Sequence, residues 1–235
     1  MAVICALIWA IINCAVLFGA IKVYLPKFKM DNRDMVMIEP EAGGNLIETK
    51  AFNGKCSKRD ICILCIAMLL AAVCGYVSGS RQDYWLSMGK MLVMLSVLSV
   101  VAITDIDYYK IPNVWVAVVF LVRCISLIIE MFTVGNVILG VINSVIAGVS
   151  GFLFLLIISK ITHGGIGYGD VKLFSALGFL CGVNAIVYTL IISFFLCAIV
   201  SILLLISKKK NVKDGIPLGP FVWIAFAATI ILGLC

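Results

Sequence analysis

Charge is what this sequence has least of. Only 13% of its 235 residues are Asp, Glu, Lys or Arg, while 63% are hydrophobic; a soluble domain usually carries about a quarter charged residues. That scarcity excludes an ordinary soluble globular protein. Histidine occurs once, as His163, which is a weak basis for a metal ligand. No basic patch is interleaved with stacking aromatics in a soluble fold, so nucleic acid is not an expected partner, and the net charge of +6 reads as topology and attraction to anionic lipid. The N-terminus has no basic n-region and no A-x-A site, so its apolar run is expected to be a retained helix and not a cleaved signal peptide. An internal repeat of the kind many transporters carry is also missing.

Long apolar runs fill the space that charge leaves. About 20 apolar residues in a helix cross a hydrocarbon core about 30 Å thick, and such runs recur along the whole chain. The sequence therefore predicts an all-α, polytopic transmembrane helix bundle of about eight spans: 2–25, 60–79, 89–106, 114–132, 137–160, 171–181, 183–207 and 221–235. The sixth and eighth are short. By alternation, fifteen basic residues fall on one side, among them the loop residues Lys27 to Arg59, Lys110, Lys160, Lys172 and the run Lys208–Lys210 with Lys213. The other side receives only Arg81 and Lys90, and Arg123 lies inside the fourth span. The positive-inside rule then places both termini outside and the long loops in the cytoplasm.

Ten cysteines invite a disulfide or metal reading, but most are scattered singly through apolar spans, where a thiol acts as a small hydrophobe. Cys62 and Cys65 form a C-x-x-C inside the second span, with only Cys56 close by. Zinc needs more ligands than that. No metal and no cofactor is expected.

Acids at a membrane edge are costly and usually functional. Of the twelve acids in the chain, most lie in loops, and Glu130, near an outer helix end, is expected to be solvated or paired with a lysine. What remains is Asp105 and Asp107 in "VVAITDIDYYKIPN", and Asp170 in "GGIGYGDVKLFSALG". Topology puts both segments at the same membrane face. Asp105 and Asp107 point to nearly opposite sides of a helix, so only one can face the bundle interior. An acid at a helix C-terminus also opposes the macrodipole, which argues for function at Asp105. Two carboxylates sharing a proton are the minimum apparatus of aspartic proteolysis. Gly167 and Gly169 would allow unusual backbone dihedrals or close approach of a substrate strand. Asp170, at the start of the sixth helix, would be the ionised member by the dipole argument. The same acids would also serve a proton- or ion-coupled transporter, and an Asp after a glycine-rich loop can be a plain helix cap.

Three ordered motifs decide between these. Asp105 stands seven residues before Pro112-Asn113; Gly167, Gly169, Asp170, Lys172 and Leu173 fill Gly-x-Gly-Asp-x-Lys-Leu; and "IPLGPF" at residues 216–221 precedes the last span. Together they resemble the type IV prepilin peptidase family, the GxGD-type intramembrane aspartic peptidases. Presenilin-like proteases share GxGD, but typically set the first Asp after Tyr and carry a late Pro-Ala-Leu; here Thr104 precedes Asp105.

The resemblance implies a prepilin leader peptidase of the bacterial cell membrane. It would remove short basic leaders from prepilins or pseudopilins, just before their hydrophobic N-terminal helices, at the cytoplasmic face. It assigns Asp105 and Asp170 as the catalytic pair and leaves Asp107 out. Residues 81–235 would form a six-helix peptidase domain. Residues 1–80 would form an N-terminal helix pair, whose loop lacks the four-cysteine zinc module of larger members. That loop, 26–59, holds only Cys56, with Arg59 where a partner cysteine would stand. The departure puts an accompanying N-methyltransferase activity in doubt.

Other residues carry smaller expectations. Lys172 would either tune the carboxylates and attract an acidic substrate group, or contact lipid phosphate. Lys110 reads as a snorkelling positive-inside residue. Gly140, Ser144, Gly148 and Gly151, like Ser175, Ala176, Gly178 and Gly182, form small-residue stripes suited to close helix packing.

Overall fold

The structure is a computed structural model that describes residues 85–133, 137–162, 165–207 and 216–234, with isolated positions between 66 and 77. The expected first span, the loop 26–59, His163 and the Cys62–Cys65 pair lie outside the described residues. The described residues from 85 onward form six helices: α1 (Trp85–Tyr108), α2 (Asn113–Thr133), α3 (Val137–Ile161), α4 (Tyr168–Cys181), α5 (Val183–Ile206) and α6 (Gly219–Leu232). No strand occurs among the described residues.

Among the described residues, four segments are long and apolar enough to cross a membrane: Leu86–Ile106, Asn113–Phe132, Val137–Ile161 and Val183–Ile206. They correspond to the third, fourth, fifth and seventh expected spans, and the chain is a multi-pass membrane protein. The sixth and eighth appear as α4 and α6, each of 14 residues and so about 21 Å long at 1.5 Å per residue.

Breaks between helices follow backbone chemistry. α1 ends as Tyr109 turns to φ 52°, a left-handed conformation uncommon for a residue with a Cβ. Pro112 then keeps Ile111 out of the helical region, and α2 starts at once, with Trp115 N–H bonded to Pro112 O. Between α4 and α5 stands only Gly182, at φ 92°. A Cβ there would be strained and would lie 2.8 Å from Asn143 Nδ2.

α1 is the central helix. Leu92, Met94, Leu95, Val97, Leu98 and Val100 through Thr104 are all buried. α5 lies at the periphery and turns Ile191, Phe195, Ile202 and Leu203 outward. Lipid tails are as apolar as leucine, so helices associate here through close packing and not through removal of apolar surface from water. The α3–α4 contact follows that rule. Ala147, Gly148 and Gly151 meet Phe174, Gly178 and Phe179, and a Cβ on Gly178 would come within 2.8 Å of Ala147 O. Ser175 Oγ bonds Gly148 O across the same seam at 3.0 Å. Gly148 and Gly151 of the first small-residue stripe and Ser175 and Gly178 of the second serve this packing, while Gly140 and Ser144 face α2 instead.

A charged cluster ties α1, α2 and α3 at one end of the bundle. Glu130 Oε1 accepts from Lys90 Nζ at 2.7 Å and from Arg123 Nη1 at 2.9 Å. Arg123, 2% exposed, also donates to Ser126 Oγ, Gly140 O and Ser144 Oγ. The expectation that Glu130 pairs with a lysine holds, through Lys90. Arg123 is its second partner.

Candidate active site

The other end of the bundle gathers the C-terminal end of α1 and the N-terminal ends of α2, α4 and α6. Asp105 occupies the last turn of α1 and is 6% exposed. α6 begins at Gly219 with Leu218 as its N-cap residue and has no side-chain cap of its own. Its first backbone donors therefore need a partner, and Pro220 has no N–H to offer. Gly219 N–H donates to Asp105 Oδ2 at 2.7 Å, and the Leu218 amide also faces this carboxylate. A side chain from α1 thus caps α6. The fit is tight: a Cβ on Gly219 would stand 3.0 Å from both Asp105 Cβ and Oδ2.

Asp170 is the third residue of α4, one residue ahead of the expected sixth span. Its N–H bonds Gly167 O at 3.0 Å, which closes the first turn. Gly167 itself is extended, at φ −66° and ψ 141°, a conformation open to any residue. The expected unusual dihedrals are therefore not found there, because a helix N-cap needs only extended backbone. The glycine requirement lies at Gly169, where a Cβ would meet Ile111 Cβ at 3.1 Å.

Asp170 Oδ1 is buried and has no hydrogen-bond partner among the described residues. Burial first, and then the neighbouring Asp105 charge, push the Asp170 carboxyl up to about 7, against the Gly167 backbone, which favours the ion. The last turn of α1 and the first turn of α4 thus bring the two carboxyls, 65 residues apart in sequence, to the same end of the bundle. Asp107 continues α1 two residues beyond Asp105, and its side chain lies outside the described residues.

Lys172 makes no ion pair with either aspartate. Its Nζ donates to Asn113 Oδ1 at 3.3 Å on the exposed surface, so the Pro-Asn of the first motif is tied to the lysine of the second. Two neighbours were not read from sequence as site residues. Gly219 had a signal in "IPLGPF", which served only as a family marker. Cys197 of α5, half-buried and within electrostatic reach of Asp170, had none beyond its residue type. One turn along α6 from Gly219, Trp223 Nε1 is buried without a hydrogen-bond partner among the described residues.

Among the described residues, no three His, Cys, Asp or Glu side chains form a metal-ligand group. A groove of about 280 Å³ between α2, α3 and α4 is lined by Phe120, Val145, Gly148, Phe152 and Phe179 and contains neither carboxylate. The chemistry available at the bundle end is that of two carboxyls: Asp105, buried and capping α6, and Asp170, half-buried, with the Gly167 backbone on its carboxyl but one oxygen, Oδ1, that no donor among the described residues reaches.

Comparison with known proteins points the same way. Residues 92–202 match the type IV leader peptidase family. The chain is 30% identical over 158 residues to a prepilin leader peptidase/N-methyltransferase of Bacillus subtilis, covering 66% of this chain and 60% of that protein. A protein of the same description from Pseudomonas aeruginosa is 28% identical over 196 residues, covering 80% of this chain and 66% of its own length. The chain thus spans less than two thirds of these curated relatives. No solved structure matches it.

Proposed function

Because the chain belongs to the type IV leader peptidase family, we propose that it is a membrane-embedded aspartic endopeptidase. It removes the short basic leader from prepilins or prepilin-like proteins by two-carboxylate activation of water, with Asp105 and Asp170 as the catalytic pair. The observation that supports this reading is the placement of both carboxyls at the same end of the bundle, Asp105 in the last turn of α1 and Asp170 in the first turn of α4.

The chemistry follows from a pair holding one proton. The ionised carboxylate takes a proton from water as the water oxygen bonds to the scissile carbonyl carbon. The protonated carboxyl gives its proton to the carbonyl oxygen, leaving a tetrahedral diol. The first carboxyl, now protonated, gives that proton to the amide nitrogen, and the second takes one back from a diol hydroxyl. The C–N bond breaks, the acid and amine leave, and the pair returns to its starting state.

Basic-residue asymmetry supports the cytoplasmic face as the site of cleavage. Lys110, Lys160 and Lys172 all lie at the end that holds the carboxyls, on the side expected to be cytoplasmic. Substrates arrive there with basic leaders and hydrophobic helices. The N-methyltransferase half of the relatives' description is not extended to this chain, whose loop 26–59 contains one cysteine.

The test is processing of a co-expressed prepilin by wild type and by Asp105→Asn, Asp107→Asn and Asp170→Asn at matched membrane levels. The expected result is loss of processing by about 10⁴-fold or more at 105 and 170, and near-normal processing at 107. Persistent cleavage by the 105 and 170 variants would rule out the pair.

A further inference from the structure

The geometry points to Gly219 as a positioning residue: its backbone N–H holds Asp105 as the ionised carboxylate, so that Asp105 takes the proton from water and Asp170 is the acid that donates one. This rests on the aspartic peptidase reading and goes beyond it by dividing the two roles.

Asp105 is buried and Asp170 half-buried, and their donor sets are unequal: the Gly167 backbone serves the Asp170 carboxyl but leaves one of its oxygens unmet. Asp105 Oδ2 receives a short bond from Gly219 N–H at the first turn of α6, with the Leu218 amide beside it. A donor and the positive end of a helix dipole both favour charge on the acceptor. Asp170 Oδ1 is buried with no donor among the described residues. A buried carboxylate oxygen without a donor costs more than a neutral acid in the same place. Two charges side by side would repel, so one proton is shared, and it rests on the oxygen with the poorer donor set. The sequence alone suggested the reverse, because Asp170 opens its own helix. In the structure that helix end does not reach Oδ1, while the end of another helix reaches Asp105.

Position 219 is constrained from two directions. The donor is a main-chain N–H, so residue type matters only through what a side chain would displace. Here a Cβ would press on Asp105 Cβ and Oδ2, each 3.0 Å away. The next residue, Pro220, removes the neighbouring N–H from competition. Gly-Pro at this helix start therefore presents the Gly219 donor at a fixed place.

Two measurements test the assignment. In the prepilin assay, Gly219→Ala should lower kcat by about 10²- to 10³-fold, the usual loss when a preorganised donor is displaced, with KM within about twofold. A purely structural role would instead lower membrane abundance and leave the turnover of surviving enzyme unchanged. Should Gly219→Ala fail to accumulate, infrared difference spectra of the resting enzyme at neutral pH decide. The protonated-carboxyl C=O stretch should vanish in Asp170→Asn and remain in Asp105→Asn. The opposite pattern, or a band untouched by Asp170→Asn, overturns the assignment. If the aspartate variants are inactive while Gly219→Ala turns over like wild type, Gly219 has no positioning role and the peptidase reading stands. If the aspartate variants still cut, the peptidase reading itself fails.

Discussion

At one end of the bundle Glu130 receives two cationic donors, from Lys90 and Arg123; at the other, Asp170 keeps a buried oxygen with none. Both ends bury charge in a chain that has little of it. The first surrounds the Arg123 guanidinium with Ser126, Gly140 and Ser144 and leaves its Nε without a partner among the described residues, and so links three helices. The second leaves acceptor capacity unused beside a second acid. A buried polar group without a partner lowers stability, and at Asp170 the proposed reaction would supply one. The paired end holds the helices together; the other is where the proposed chemistry would take place.

The sharpest way to break that contrast is Asp170→Asn, whose effects on cleavage and on stability should have opposite signs. Cleavage falls by about 10⁴-fold or more. Stability rises at neutral pH, by the following linkage. The Asp170 carboxyl sits at about 7 in the folded protein, above its unfolded value of about 3.9. The folded state therefore binds the proton more tightly, and wild type loses stability as pH climbs from about 4 to about 7, with no recovery above. Asparagine has no charge to bury. Thermal unfolding in detergent should show the variant above wild type at pH 8 and nearly level with it at pH 4. A variant less stable than wild type at pH 8 would mean that Asp170 is a structural cap and the contrast is false.

Glu130→Ala probes the opposite end and should act on stability alone. It leaves Arg123 buried with its charge unpaired, a change that costs about 3–5 kcal/mol. Adding Arg123→Met removes the stranded charge and should recover most of that loss, since an apolar replacement of a buried ion pair is often neutral or better. Denaturation of the purified variants measures both steps. Cleavage per folded molecule should match wild type throughout. A double variant as unstable as the single, or a loss of turnover beyond the loss of folded protein, would show that the two ends are not separate in function.

Much of this arrangement was legible in the residues, and the rest was not for identifiable reasons. Apolar runs marked where α1 to α6 lie, because a bilayer demands length and hydropathy from a helix. Their ends were set by Tyr109, Pro112 and Gly182, so α1 runs to Tyr108 where hydropathy alone would stop it at 106. A shared membrane face for Asp105 and Asp170 was expected from topology, with Asp105 marked by its spacing to Pro112-Asn113 and Asp170 by the GxGD pattern. The partner of Asp105 did not follow from either. It is a main-chain N–H 114 residues away, and a backbone donor leaves no trace in residue type except the exclusion of a Cβ. Lys90 and Glu130 are 40 residues apart and meet only because α1 and α2 pack as they do, although the need of Glu130 for a lysine was readable. The glycines before Asp170 misled in detail: Gly167 is conformationally ordinary, and Gly169 answers to the nearby Ile111.

The smallest expected effect concerns Lys172, whose place in the motif suggests more than its contacts support. Its ammonium reaches Asn113 on the exposed surface and neither carboxyl, and exposed polar contacts contribute little. Lys172→Ala should therefore lower prepilin cleavage by less than about tenfold. Asn113→Ala should do the same, and the double variant no more than either single, since both remove one shared contact. The contact would then be a brace between the α2 and α4 ends and not part of the acid pair. Should Lys172→Ala cost a hundredfold while Asn113→Ala costs nothing, the lysine acts on substrate or on the carboxyls directly, and the carboxyl end of the bundle contains a cation the reaction depends on.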